Sequence, residues 1–325
     1  MGQGPSVLRM GEENCGVPAA SSERRHGLVM TLSETHCCNQ LALHNFCLEH
    51  MNFGTIKTGR GRRSGAILVI AMALTAGAFA EGTRQSPINI DKKDVAEAHH
   101  GPKITATYLS NATLTVVNTF NPNRTPLVGK EWATLRATPT GSSYVMVGGQ
   151  QYDLLQFHFH TPSEHKVNGK GAPMEVHFVH LKTGALPCDP EALLVIGAMI
   201  KQDSATHKEL SKIFNAQNLP QDSTQPAVTL TNFDLNKVLP KLDDSYRYAG
   251  SLTAPSTFTN CTAQGGSIDD QLSADIFPEN VQWVVLTKKI EMSKGQIKTF
   301  RSLFEEGNSR ETQPLNGRTV YRVQH

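Results

Sequence analysis

The chain is poor in three things. An excess of charge of one sign is absent: 31 Lys plus Arg stand against 29 Asp plus Glu over 325 residues, a formal net charge of +2 with no long run of either sign. That balance offers neither the basic footprint of a nucleic-acid binder nor an acidic tail. Long apolar runs are absent too. The stretch 66–80 (AILVIAMALTAGAFA) has about 15 apolar residues, short of the roughly 20 that a membrane-crossing helix needs. Cysteine is scarce where it would matter. Of six, Cys15, Cys37, Cys38 and Cys47 precede that stretch, and only Cys188 and Cys261 follow it. Adjacent cysteines with no C-x-x-C spacing make a poor zinc site of the first group. What is present is ordinary: 38% hydrophobic residues, 26 Gly and 17 Pro supply a packed core and exclude collagen-like and wholly disordered classes.

Arg60, Arg62 and Arg63 stand before the apolar stretch, and Ala78-Phe79-Ala80 ends it in a small-x-small pattern. Together they read as a secretory signal peptide cleaved after Ala80. Three parts follow: residues 1–50, an uninterpreted extension ahead of an expected start at Met51; 51–80, the signal region; and 81–325, one domain. The expected location is periplasmic or secreted, with no stable membrane span after cleavage. In an oxidising compartment Cys188 and Cys261 form a possible disulfide, with two free thiols as the alternative.

Within 81–325 there is no fixed repeat. Runs rich in Val, Ile, Leu, Thr and aromatics, bounded by Gly, Pro or Asn, recur at 112–118, 143–147, 152–160, 174–182, 193–201, 283–292 and 318–323. Gly148-Gly149 between two of them predicts a hairpin. Helical patterns are confined to 207–215 and to 294–304, the latter with Ser293 as N-cap. The fold class expected is mostly β (α+β): a single domain on a large, mainly antiparallel twisted β-sheet with short peripheral helices. The segments 121–141 and 255–280, rich in Thr, Ser, Asn, Gly and Pro, read as long surface loops.

The densest information is Gln156-Phe157-His158-Phe159-His160. Alternation along a strand sends Gln156, His158 and His160 to one face and the two phenylalanines to the other. A second strand, MEVHFVH (174–180), presents Glu175, His177 and Val179 on one face, and pairing would bring His177 beside the first two imidazoles. Three neutral His ligands with a fourth position open form the donor set of a catalytic zinc site. Gln156 and Glu175, each two residues before a ligand, are candidate acceptors for the other ring N–H. His165 and His180 read as ordinary hydrogen-bonded histidines.

These motifs, with QSPI (85–88), LLQFHFHTPSEH (154–165), VIGAMI (195–200), GSLTAP (250–255), WVVL (283–286) and QPLNGR (313–318), resemble the α-class carbonic anhydrases of the bacterial secreted type over nearly all of 85–323. The resemblance implies Zn²⁺ on His158, His160 and His177, with Gln156 and Glu175 behind them. It implies that Thr253 accepts the proton of zinc-bound hydroxide while Glu164 accepts from Thr253. It makes Val179, Val195, Leu252 and Trp283 the apolar wall for carbon dioxide, and the reaction its reversible hydration to bicarbonate and a proton. The expected partners are carbon dioxide and bicarbonate, with no nucleic acid, in a monomer or homodimer.

Three departures accompany it. The segment that family members carry before QSPI is shortened to four residues after Ala80. The stretch that resembles the family's proton-shuttle motif ends in Asn121, which cannot titrate near neutral pH; His99 and His100 are spare imidazoles expected on the surface. Residues 256–280 are longer than the usual link. Two alternatives stand beside the enzyme: a non-catalytic carbonic-anhydrase-like binding protein, and a cupin-type metalloenzyme with Glu164 as a ligand.

Overall fold

Burial alternates along the predicted strand at 112–118, whereas 174–180 and 193–200 are buried throughout, as strands at the centre of a two-sided sheet are. A computed structural model describes residues 82–97, 101–123, 132–187, 189–214, 219–255 and 277–325. Its strands are β1 (Asn89–Ile90), β2 (Ala96–Glu97), β3 (Ile104–Thr107), β4 (Ala112–Asn118), β5 (Leu135–Thr140), β6 (Tyr144–Val147), β7 (Gln150–His160), β8 (Lys166–Val167), β9 (Met174–Lys182), β10 (Leu193–Asp203), β11 (Val228–Phe233), β12 (Asp244–Gly250), β13 (Val281–Leu286), β14 (Ile290–Ser293) and β15 (Tyr321–Gln324). Two short α-helices accompany them, α1 (Ser211–Phe214) and α2 (Lys294–Leu303). No helix among the described residues is long and apolar enough to cross a membrane.

Thirteen strands form one sheet in the order β11-β4-β5-β7-β9-β10-β13-β12-β15-β2, with β3, β6 and β14 attached beside this path, while β1 and β8 pair separately. Most neighbours are antiparallel, as expected; β13 and β14 run parallel to β10, and β2 parallel to β15. The Gly148-Gly149 hairpin joins β6 to β7, both glycines at positive φ (57° and 84°), which a two-residue turn of this hand requires. Ser293 caps α2 in a capping box with Gln296.

The two faces of the sheet bury different cores. Phe157, Phe159, Phe178, Phe233 and Phe300 belong to one cluster; Val179, Val195, Tyr248, Val281 and Trp283 belong to the other. Strand β9 lies centrally, so Met174–His180 are buried whichever way they point.

Two expectations are corrected. Part of 121–141 is strand, not loop: Leu135 and Ala137 of β5 are buried, and the strand pairs with β4 along its length. Its Thr and Pro misled because Pro139 lies beyond the two positions that meet β7, where only β4 flanks it. The run 283–292 is two strands. Gly197 of β10 faces Val285 but Ile200 faces Ile290, so two extra residues are looped out around the polar Thr287-Lys288-Lys289. The signal region, His99, His100, Cys188, Cys261 and residues 256–276 lie outside the described residues.

Candidate metal centre

Antiparallel pairing of β7 with β9 sets His158 directly opposite His177 and His160 opposite Glu175. The three imidazoles converge, their ring centroids 5.0 Å (His158–His160), 5.3 Å (His158–His177) and 4.7 Å (His160–His177) apart. One nitrogen of each is already used. His158 Nδ1–H donates to Gln156 Oε1 (2.9 Å), His160 Nδ1–H to the Asn308 carbonyl (2.8 Å), and His177 Nε2–H to Glu175 Oε1 (3.0 Å). These bonds fix the tautomers and leave His158 Nε2, His160 Nε2 and His177 Nδ1 facing one another. A donor atom from each of the three residues falls within 4.8 Å of the other two.

The electrostatics suit a cation. Burial holds all three histidines below the ordinary 6.5, His160 at about 4 and His158 well down, where the neighbouring imidazoles and Arg136 add to the effect. Neutral imidazole is the ligand form. His160 Nε2 is buried with no hydrogen-bond partner, an acceptor whose desolvation a metal ion would offset. The residues present fit a zinc ion.

Behind His177 lies a wholly buried polar network. Burial alone would raise the Glu175 carboxyl, but His165 and His177 hold it well below the usual range. His165 donates to it from Nδ1 (2.7 Å) and from its backbone N–H (2.9 Å), and His165 Nε2 lies 2.7 Å from the Tyr248 hydroxyl. His165 therefore orients the carboxylate that orients His177. Gly197, opposite His177 on β10, leaves room for this: a Cβ there would stand 2.9 Å from Glu175 Oε1.

Glu164 is buried 3.8 Å from His177 Nδ1. Burial raises its pKa to about 7, against the lowering influence of His177, the Arg310 N–H (2.9 Å) and the Thr253 side chain. A row across three strands, Val179, Val195 and Trp283, faces the imidazoles. With Leu252 and Thr253 it lines a cavity of about 120 Å³ that includes His158 and His177. The Trp283 indole is fixed by its N–H to the Ser251 carbonyl (2.9 Å) and packs edge-on to His177, centroids 4.8 Å apart.

The structure thus gathers Gln156, Glu164, Glu175, Thr253 and the four apolar residues about the three histidines. Asn121 stays apart, exposed, its side chain accepting from the Asn123 N–H. Sequence reasoning missed Asn308 and Arg310, which reach His160 and Glu164 through backbone atoms that no side-chain pattern announces. His180 is buried away from the cluster, Nδ1–H to the Leu194 carbonyl (3.2 Å) and Nε2 against the Tyr108 hydroxyl (2.8 Å).

His160 and His180 each drop from 6.5 to about 4 on folding, through burial. Between those values the unfolded chain binds more protons, so stability present at pH 7 is lost as pH falls through the window, by up to about 3 kcal/mol per group. Urea midpoints of metal-free protein are expected to fall steadily from pH 7 to about pH 4; a flat series would mean these imidazoles take protons without unfolding.

A sequence profile described as eukaryotic-type carbonic anhydrase matches residues 75–262. A carbonic anhydrase of Klebsiella pneumoniae is 32% identical over 240 residues, covering 74% of this chain and 80% of its own length. One from a Nostoc species is 33% identical over 241 residues, covering 74% and 75%. Among solved structures, the α-carbonic anhydrase of Thermovibrio ammonificans, in complex with the inhibitor sulfanilamide, is 34% identical, with 74% of this chain and 87% of that chain covered and a TM-score of 0.57.

Proposed function

Because the chain belongs to the α-carbonic anhydrase family, we propose that it hydrates carbon dioxide reversibly to bicarbonate and a proton, with one zinc ion held by His158, His160 and His177. The observation that carries this is the set of three imidazoles whose outward nitrogens are spoken for and whose inward nitrogens converge. When bound, the ion supplies the Lewis acidity that makes a nucleophile of water near neutral pH. The chain's own residues do the rest. Thr253 donates a hydrogen bond from its hydroxyl to the buried Glu164, which leaves its oxygen to meet the reacting water as an acceptor and orient it. Val179, Val195, Leu252 and Trp283 offer an uncharged substrate an apolar wall and keep loose water away from the attack line. Glu175, held by His165, keeps the His177 ring in place. A cupin reading finds no place beside the family match.

Among the described residues lining the cavity, no side chain other than the ligand imidazoles is titratable, and Glu164 lies buried outside that lining. On this reading the proton leaves through solution buffer. Stopped-flow hydration by the zinc-loaded full chain is expected to be fast and to gain turnover as buffer concentration rises at constant ionic strength. Zinc-loaded protein without hydration would overturn the function. A turnover indifferent to buffer would show a shuttle within the chain.

A further inference from the structure

One cation at this site has no role in the reaction as derived. Strand β5 meets β7 at two positions, and one sets Arg136 directly opposite His158. Residues so placed share a face of the sheet, their Cβ atoms about 4.5–5.5 Å apart. Arg136 therefore stands on the face of Gln156 and the ligand imidazoles, beside His158. It is exposed, and no hydrogen bond, ion pair or ring contact engages it among the described residues. Among the described residues the cavity lining contains no Lys, Arg, Asp or Glu; Glu175 is buried and bonded through both oxygens, and Glu164 is buried with Oε1 taken by the Arg310 N–H. An arginine beside a dication is electrostatically unfavourable unless a negative group joins them, and nothing in the described protein is that group.

We propose that Arg136 is the anion-holding residue of this site, steadying bicarbonate, and other small anions that compete with it, against the metal face. This rests on the functional reading above. Carbon dioxide carries no charge, so the guanidinium discriminates between the two sides of the reaction. The overall equilibrium ties kcat/KM in the two directions together. At buffer concentrations high enough that proton transfer no longer limits turnover, weaker bicarbonate binding then appears as a rise in KM for dehydration with a matching rise in its kcat.

The test compares wild type, Arg136→Gln and Arg136→Lys as zinc-loaded full chains. In Arg136→Gln at low ionic strength, the bicarbonate KM and its inhibition constant against hydration are expected to rise about three- to tenfold. The thiocyanate Kd, read by calorimetry, should rise by a similar factor, and kcat/KM for hydration should hold. Arg136→Lys should keep most of the anion binding. Near 1 M salt, where the screening length is about 3 Å, wild type and Arg136→Gln should converge. Unchanged thiocyanate and bicarbonate binding in Arg136→Gln would overturn the proposal. So would a fall in hydration kcat/KM with anion affinity intact, since that would mean Arg136 merely props His158. A wild type that binds zinc yet hydrates nothing refutes the functional reading instead, and its thiocyanate titration still reports on Arg136.

Discussion

His177→Ala is expected to lose bound zinc and carbon dioxide hydration together. The substitution removes one of three inward nitrogens and leaves His158 and His160, neighbours on a single strand, to hold the ion alone. Loss of an outer partner of a ligand costs about 10- to 100-fold in affinity; loss of the ligand itself should exceed that, to more than about a thousandfold in rate and to substoichiometric zinc after dialysis. A second penalty comes with it. Glu175 accepts from His177 Nε2 at 3.0 Å in a wholly buried setting, and the variant leaves that carboxylate with His165 as its remaining imidazole donor. His158→Ala separates the two effects, because its outer partner, Gln156, is neutral and half-exposed. The expectation for His158→Ala is equal loss of zinc with a urea midpoint close to that of zinc-free wild type. Full zinc occupancy and hydration in either variant would refute the ligand assignment.

Phe157→Ala is expected to be the costliest single truncation of the core. The ring is fully buried, stacked on Phe178 at 4.8 Å between centroids and close to Phe159 (5.9 Å) and Phe233 (6.0 Å). Three aromatic rings from three strands enclose it, so collapse into the vacated space is restricted and the cost should reach about 3–5 kcal/mol. Against a total stability of about 5–15 kcal/mol that is a large share. At roughly 2–4 °C per kcal/mol for a domain of this size, the melting temperature should drop by about 10 °C. Zinc stoichiometry well below the melting point should hold, because Phe157 faces away from the imidazoles. Calorimetry on the zinc-free protein decides: a drop of under about 2 °C would mean the rings are loosely packed.

The contrast between these residues explains how much of the molecule could be read from its sequence. His158, His160 and His177 were legible because two short segments, QFHFH and MEVHFVH, alternate strictly and the strands they form pair directly. Gln156 and Glu175 came with them, sharing the same faces. Val179, Val195 and Trp283 needed three strands in register, which periodicity does not specify; the family resemblance supplied them. Arg136 is the harder case. Its own strand was hidden by Thr and Pro, and its place beside His158 depends on a pairing of only two residues. Asn308 and Arg310 act through a carbonyl and an N–H, groups that every residue has, so their identity as site residues follows only from the path of the chain.

That path has a consequence for the order in which the protein can be made. His160 receives its outer acceptor from a residue 148 positions later, Glu164 its backbone donor from 146 later, and Arg310 reaches back 225 positions to Gln85. Asn308 also ties down Thr161 and the carbonyls of Ala133 and Phe159. A chain still being synthesised, with the strands of the three histidines already outside the ribosome, therefore lacks the group that fixes the tautomer of His160 and the donor that holds Glu164. In a nascent β7–β9 pair the ring of His160 is expected to turn more freely, and the geometry that would favour one ion over another waits for Asn308 and Arg310.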